Sequence, residues 1–380
     1  MENSALNHLS DQLNTRESEG LLRSLQDLAG MIDFCSNDYL GLSQHPALAL
    51  AIQQEAQRRS QNGKSLGHGA TGSRLISGHS PIFDEFEQAC ADMHRAEAAL
   101  LFASGYDANV GLIAALAQEG QVIFCDKLLH ASLIDSLRLC KAEKRIFKHN
   151  DLGDLVKLLE QYPKETPKWI VVESIYSMDG DKAPLADLVA LKNTYNAEII
   201  VDEAHSGGLY GPEGSGLCVE LGLEKEIFAR VITFGKAWGN AGAVVLGSTI
   251  LKDYLINFAR PFIYSTAPSP QHVSSLLATL DFIKTQDTLR QKLQSNIQFF
   301  QSQVHGKAWG KSQTAIQTFF VSGNQALRAA AKKAQEAGFA VKPIVYPTVA
   351  KGQERIRITL NAKSQEKDML SLIQTLNEHA

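Results

Sequence analysis

The 380-residue sequence holds only five cysteines, Cys35, Cys90, Cys125, Cys140 and Cys218, widely spaced and without a Cys-x-x-Cys pair. An odd, scattered set excludes a disulfide framework and a cysteine-based zinc site, and it points to a reducing compartment. An excess of one charge is also missing. Thirty-seven basic residues against 41 acidic ones give a formal net charge of −4, which leaves no basic footprint for nucleic acid or an anionic membrane. No apolar run approaches the ~18 residues of a membrane-spanning helix. The stretch MENSALNHLSDQLNTRESEG is polar and acidic, without the apolar centre of a signal peptide. A cytoplasmic protein is expected. Internal repeats and low-complexity tracts are lacking too. What remains is 44% hydrophobic and 21% charged, the balance of a folded globular chain rather than a disordered one. At ~100–200 residues per domain, the length predicts two domains, or one large domain with an appendage.

Residues 5–28 read as a polar, weakly amphipathic helix, an arm rather than core. From residue 98 short apolar runs recur: 98–103 (AALLFA), 121–125 (QVIFC), 169–173 (WIVVE), 198–202 (EIIVD), 231–234 (VITF) and 243–247 (AVVLG). Helical periodicity fills most of the gaps, as in 151–161 and 184–195. Strands this apolar, alternating with helices, form a largely parallel sheet covered on both faces, an α/β domain. The run at 243–247 follows its predecessor too closely for a crossover helix, so one antiparallel strand is expected. After Pro268–Pro270 the texture changes. Two long helical stretches cover 271–304, followed by an apolar run at 314–321, a helix at 325–337, runs at 339–345 and 355–360, and a helix from 364. This predicts a helical arm over 1–35, a large α/β domain over 36–270 and a smaller α+β domain over 271–380.

Gly67-His68-Gly69-Ala70-Thr71-Gly72 fits G-x-G-x-x-G, but it follows a polar helix and loop instead of a buried strand, so the dinucleotide reading fails. A glycine loop that admits a ligand close to the backbone is still open. Val201-Asp202-Glu203-Ala204-His205 ends an apolar strand and matches a helicase string. A nucleotide-driven motor also needs G-x-x-x-x-G-K-[ST], and both Gly63-Lys64-Ser65 and Gly310-Lys311-Ser312 lack the first glycine. A carboxylate and an imidazole at the C-terminal end of a parallel strand nevertheless occupy the place where α/β proteins bind ligands. An Asp capping a helix is the plain alternative.

Lys236 lies between glycines at another strand end, in Thr233-Phe234-Gly235-Lys236-Ala237-Trp238-Gly239. Desolvation there favours the neutral, nucleophilic amine; a lysine snorkelling from a loop is the bland reading. Asp202 stands one predicted crossover upstream. An acid for a pyridinium and a lysine for an aldehyde are the minimal constellation for pyridoxal phosphate. Ser104-Gly105-Tyr106 opens a helix whose free N–H groups can bind phosphate, unless Ser104 merely caps it. His130, after the next strand, can cover a ring or be structural. Arg355 and Arg357 alternate on one strand face, either as a carboxylate clamp or as solvated side chains.

Together these strings resemble the α-oxoamine synthases, pyridoxal-phosphate enzymes of the aspartate-aminotransferase fold. The resemblance rests on ten segments in family order: FCSNDYLGL (34–42), TGSRLISG (71–78), ASGYDAN (103–109), DKLLHASLIDS (126–136), KHND (148–151), ESIYSMDGD (173–181), VDEAHSGG (201–208), TFGKAWG (233–239), FIYSTA (262–267) and PTVAKGQERIRITL (347–360). It implies a mostly parallel seven-stranded sheet covered by helices, with a smaller α+β C-terminal domain. It also implies roles. Lys236 carries the cofactor covalently and serves as the base. Asp202 pairs with the pyridinium nitrogen, His130 stacks on the ring, and Ser177 and His205 hydrogen-bond the ring oxygen. Backbone N–H groups of Gly105 and Tyr106, with the Thr233 hydroxyl, hold the phosphate. Thr266 and Ser265 reach the phosphate of the other subunit in a homodimer with a shared active site. Asn37 and Arg357 bind the amino-acid carboxylate, and Arg23 the far carboxylate of a dicarboxylic acyl chain. No metal is implied.

Within the family, SNDYLGL, GSRLISG and SGYDAN are most like the members of biotin biosynthesis that join L-alanine to pimeloyl-CoA or pimeloyl-acyl carrier protein. Sister reactions using glycine or serine are the near alternatives, as in 2-amino-3-ketobutyrate CoA ligase, 5-aminolevulinate synthase and serine palmitoyltransferase. A non-catalytic, cofactor-binding regulator on the same fold is the distant one, and the presence of both Lys236 and Asp202 argues against it. Departures from the family pattern are a short stretch between Leu28 and Ile32, Ala350 and Lys363 in place of a common proline and histidine, and Ser269-Pro270 in place of Pro-Pro.

Overall fold

The computed structural model describes residues 4–61, 66–346 and 348–378. Gly63-Lys64-Ser65 and Pro347 lie outside the described residues. The chain begins with α1 (Ser4–Ser18), the short strand β1 (Ile32–Asp33), α2 (Pro46–Gln61) and α3 (Pro81–Met93). An alternation follows: β2 (Ala98–Phe102), α4 (Gly105–Leu116), β3 (Val122–Asp126), α5 (Ala131–Leu139), β4 (Glu143–Phe147) and α6 (Leu152–Leu159). It continues through β5 (Lys168–Glu173), α7 (Leu185–Tyr195), β6 (Ala197–Asp202), α8 (Leu217–Glu220), β7 (Ala229–Thr233) and β8 (Ala243–Gly247). Four helices come next, α9 (Thr249–Phe258), α10 (Arg260–Ile263), α11 (Pro270–Lys284) and α12 (Asp287–Gln303). The chain closes with β9 (Ile316–Phe320), α13 (Asn324–Glu336), β10 (Phe339–Ala340), β11 (Lys342–Ile344), β12 (Arg355–Thr359) and α14 (Glu366–Asn377). Among the described residues, no helix is long and apolar enough to cross a membrane.

Two compact units result: 37–177 with 181–291, and 1–36 with 178–180 and 292–380. The larger holds a seven-stranded sheet in the order β2-β8-β7-β6-β5-β3-β4. β3 to β7 run parallel, while β8 is antiparallel to both its neighbours, β2 and β7. The expected reversed strand is therefore β8. Every residue of β3, β5 and β7 is buried, which is why these strands read as nearly continuous apolar runs, with buried Asp126, Lys168, Glu173 and Arg230 the charged residues in them. β4 was not anticipated. It is one of the two edge strands, EKRIF, and mostly exposed; charged residues on an edge discourage pairing with other chains and hide the strand's signature.

Two further expectations need correcting. The N-terminal helix stops at Ser18 instead of continuing to residue 28. Gly20, at φ +67°, takes the left-handed turn that ends a helix, and Leu21 donates back to the Arg16 carbonyl at 2.7 Å. α11, placed by sequence in the smaller domain, belongs to the larger unit, because its apolar face packs on α2 and α3. The smaller unit carries an antiparallel sheet, β11-β12-β9, and the parallel pair β1-β10. α13 and α14 bury Leu327, Ala331, Leu372 and Leu376 within it.

Candidate active site

In the larger unit the strands β3, β5, β6 and β7 end at Asp126, Glu173, Asp202 and Thr233, all on one edge of the sheet. β2 runs in the same sense and delivers Ser104 and Gly105 to that edge. A cavity of about 350 Å³ opens there, and its walls include Asn37, Gly105, Tyr106, His130, Asp202, Thr233 and Lys236. Carboxyl ends of parallel strands are the usual ligand edge of such sheets.

One end of the cavity suits a phosphate. Ser104 caps α4, its hydroxyl accepting the Asp107 N–H at 3.0 Å. The first-turn N–H groups of a helix have no partner within it, and the helix dipole favours an anion there. A Cβ on Gly105 would come within 2.4 Å of Thr233 Cγ2, so only glycine lets α4 start this close to β7. Thr233 Oγ1 is buried and, among the described residues, has no hydrogen-bond partner. An orphaned hydroxyl beside a helix N-terminus is a cradle suited to a phosphate oxygen.

Asp202 stands deeper, 5% exposed. Its Oδ2 accepts from Asn109 Nδ2 at 2.8 Å, and its Oδ1 accepts the Ala204 N–H at 2.9 Å. Asp202 is therefore held by a side-chain amide and a turn rather than serving as a helix cap. Asn109 also donates to Ser132 Oγ at 2.9 Å, and that hydroxyl lies 2.8 Å from His130 Nδ1. Asp202 and the His130 imidazole thus share a scaffold. Burial and the nearby Lys236 charge hold the His130 imidazole below its ordinary pKa, against the pull of Asp202.

Glu173 braces two loops. One of its oxygens accepts the His130 N–H, and the other accepts the Ser177 N–H at 3.3 Å. Burial, with Asp202 as the second cause, pushes its carboxyl up to about 8, so it is largely protonated at neutral pH. Outside these loops His149 bridges Asp126 at 2.8 Å and Asp181 at 2.7 Å. Burial opposes its charge, yet the hydrogen bonds to both carboxylates win and lift the imidazole to about 10.

Lys236 emerges from the turn after β7. Gly239, at φ +60°, lets that turn press on Ser43, whose N would lie 2.4 Å from any Cβ there. Lys236 Nζ is 2.8 Å from His205 Nε2, and Tyr39 Oη is 2.6 Å from His205 Nδ1.

The remaining anticipated residues lie elsewhere. Ser265 and Thr266 are exposed in the segment after α10 and are not on the cavity wall. Arg357, in the smaller unit, is buried on β12 and donates to Thr359 Oγ1 at 3.1 Å. Arg355 is engaged: it pairs with Asp179 and lies 4.8 Å over the Phe320 ring. Arg23 lines a different cavity, about 520 Å³, with Arg16, Arg328, Lys332 and Lys342, and among the described residues no carboxylate is on its wall. Sequence reasoning assigned no role to Tyr39, Asn109, Ser132, Glu173 or His149, although each falls within a quoted segment.

The family model for class I and II aminotransferases matches residues 29–376. The 8-amino-7-oxononanoate synthase of Azoarcus sp. (strain BH72) is 39% identical over 362 residues, covering 94% of this chain and 91% of its own. That of Chromobacterium violaceum is 40% identical over 343 residues, covering 90% and 87%. Among solved structures, serine palmitoyltransferase from S. paucimobilis with a bound PLP–myriocin aldimine superposes with a TM-score of 0.87 at 26% identity, covering 100% of this chain and 98% of its own. The 8-amino-7-oxononanoate synthase of Francisella tularensis superposes with a TM-score of 0.76 at 27% identity, covering 92% and 97%. With the pattern running through both units and relatives this similar over most of their length, the chain belongs to the class I and II aminotransferase family.

Proposed function

We propose that this chain condenses L-alanine with a pimeloyl thioester, releasing 8-amino-7-oxononanoate, CO₂ and the free thiol, with pyridoxal phosphate held at Lys236. The observation that carries the reading is one cavity wall shared by Lys236, Asp202, His130 and the Gly105–Thr233 cradle. The residues fit the cofactor: an orphaned hydroxyl at a helix N-terminus for the phosphate, a buried carboxylate for the ring nitrogen, and an amine for the aldehyde. Pyridoxal phosphate, when bound, supplies an electron sink for a carbanion at the amino acid's Cα.

The chain supplies the rest. Lys236 Nζ takes the Cα proton and returns one later. Asp202 keeps the ring nitrogen protonated, and its two hydrogen bonds, from Asn109 and Ala204, leave it aimed. His130 covers the ring and shields the reacting carbon from water. Ser177 and His205 orient the ring oxygen. The first N–H groups of α4, from Gly105 and Tyr106, neutralise the phosphate with the Thr233 hydroxyl. Asn37 on the cavity wall and Arg357 on β12 are assigned to the amino-acid carboxylate. The exposed Ser265 and Thr266 are assigned to the phosphate of a second copy's site, which makes the working form a homodimer. Arg23 and the four cations around its cavity suit the far carboxylate of the pimeloyl chain, since among the described residues nothing acidic on that wall competes for it.

The 39–40% identity to 8-amino-7-oxononanoate synthases supports alanine and a pimeloyl donor. The higher TM-score to serine palmitoyltransferase favours the second reading, serine with a long-chain thioester. Thiol release from pimeloyl-CoA and palmitoyl-CoA, each with alanine, glycine and serine, decides between them. The proposal expects alanine with pimeloyl-CoA to be fastest; serine with palmitoyl-CoA as the fastest pair would replace it with the second reading.

A further inference from the structure

Asn109 lies on α4 four residues after Gly105, so the two share a face of that helix. Asn109 is 2% exposed. Its Nδ2 donates in two directions, to Asp202 Oδ2 at 2.8 Å and to Ser132 Oγ at 2.9 Å. Ser132, buried in the first turn of α5, carries the link onward, its hydroxyl lying 2.8 Å from His130 Nδ1. We propose that Asn109 is a positioning residue whose single amide group sets both the acid assigned to the ring nitrogen and, through Ser132, the imidazole assigned to the ring face.

The direction of each bond is fixed by groups that can play only one part. An ionised carboxylate only accepts, and the NH₂ of an amide only donates. The Asn109 NH₂ therefore faces Asp202; turned over, the amide would set its oxygen against the carboxylate. The second hydrogen of that NH₂ goes to Ser132 Oγ. At the far end the Ser132 backbone N–H, which can only donate, reaches His130 Nδ1 at 3.2 Å. Nδ1 is thus an acceptor, and the Ser132 hydroxyl, itself supplied by Asn109, has its own hydrogen free to donate there. Burial and the Lys236 charge disfavour an imidazolium at His130, in agreement with that lone pair.

The amide stands there at a cost. Its Oδ1 is buried and, among the described residues, has no hydrogen-bond partner, a penalty that an amide placed for stability alone would avoid. The consequence for catalysis rests on the reading of this cavity as a pyridoxal phosphate site. Gly105 opens the phosphate cradle, and Asn109 stands one turn further along the same helix. One rigid element then spaces the phosphate from the acid for the ring nitrogen, and the branch through Ser132 keeps the imidazole in step with both. Asn109 borders the cavity, but both its hydrogens are spent on Asp202 and Ser132, so it acts through them.

Side-chain amide ¹H–¹⁵N spectra of the full chain, free of cofactor and labelled at asparagine, read the two bonds separately. The Asn109 signals are those missing from Asn109→Asp. Ser132→Ala is expected to shift one of its two hydrogens and Asp202→Ala the other; a failure of either variant to move a hydrogen overturns the inference. In the loaded enzyme, Asn109→Ala should lower kcat about tenfold or more, the weight of a hydrogen bond to a charged group, while pyridoxal phosphate occupancy and KM for alanine stay within about twofold. Asn109→Asp keeps the shape but replaces the donors by acceptors, so kcat should fall at least as far as in the alanine variant. A space-filling role requires the opposite order, and an aspartate variant more active than the alanine one contradicts the proposal. Should the wild type take up no pyridoxal phosphate, the functional reading fails while the amide spectra still decide the inference, so the two failures are separable.

Discussion

Glu173 and Asp202 stand directly opposite each other at the ends of β5 and β6, two buried carboxyls side by side at the ligand edge of the sheet. Two such groups do not both ionise cheaply, and their surroundings separate them. Asp202 is held by donors from Asn109 and Ala204. Glu173, deeper and next to that charge, is pushed up to about 8.

A Glu173→Gln variant tests this division. A glutamine has one acceptor oxygen, so it can take the N–H of His130 or that of Ser177, but not both. Its NH₂ would face the other. A loss of about 1–3 kcal/mol in stability is expected, the cost of one unsatisfied buried donor. The sign of the pH dependence follows from the raised value. The folded protein holds this proton more tightly than the unfolded chain, so the stability it adds fades as pH rises from the ordinary carboxyl range toward about 8. Urea denaturation at several pH values should show the gap between wild type and variant narrowing across that window. A constant gap would mean that Glu173 does not titrate there.

His149 gives a window of the same sign at higher pH. Its imidazolium, lifted to about 10, ties the end of β3 to the segment after β5 through Asp126 and Asp181. The stabilisation is complete below the unfolded value near 6.5 and is lost as pH rises through about 10. His149→Gln should cost about 2 kcal/mol at neutral pH, allowing for partial solvent screening of the pair, and almost nothing at the alkaline end. Thermal melts of both proteins across that range would show it; a penalty independent of pH would remove the charge from the explanation.

Lys236→Ala and Asp202→Asn separate linkage from electronics. The first is expected to abolish turnover while leaving the far-ultraviolet circular dichroism unchanged, because Lys236 is only half-buried and its turn is shaped by Gly239. The second should lower kcat by at least about a hundredfold with much smaller loss of cofactor occupancy, since the proposal gives its oxygens to the ring nitrogen and not to the phosphate cradle. Equal losses of rate and occupancy would make Asp202 a binding residue.

The two arginines of β12 should part company. Arg357→Ala is expected to raise KM for the amino acid about tenfold or more, the weight of a charged hydrogen bond. Arg355→Ala should leave KM near the wild-type value and lower the melting temperature, because Arg355 is committed to Asp179 and Phe320. Steady-state kinetics with varied alanine check both, and a KM rise in the Arg355 variant alone would exchange the assignments.

The sheet was legible because its central strands are buried on both faces and so spell nearly continuous apolar words. β4 was not, since an edge strand of Glu, Lys and Arg resembles a loop. The end of α1 was hidden because polar residues continue past Gly20 without any change of texture. The local strings singled out Lys236, Asp202 and His130, and the structure places all three on one cavity wall. The braces around them could not be read that way. Glu173 reaches a residue 43 positions away, Asn109 one 93 away, and Tyr39 one 166 away. A string shows which side chains are available at a strand end; which of them face each other is decided by the sheet order, where β5 lies between β3 and β6.

The central claim, that Lys236 holds pyridoxal phosphate in a site built for alanine, is tested most directly by the visible absorption spectrum of the purified protein before and after L-alanine. The account predicts a band beyond the aromatic region that borohydride bleaches in the wild type but not in Lys236→Ala, and that alanine perturbs more than glycine or serine. No band after incubation with pyridoxal phosphate would contradict it.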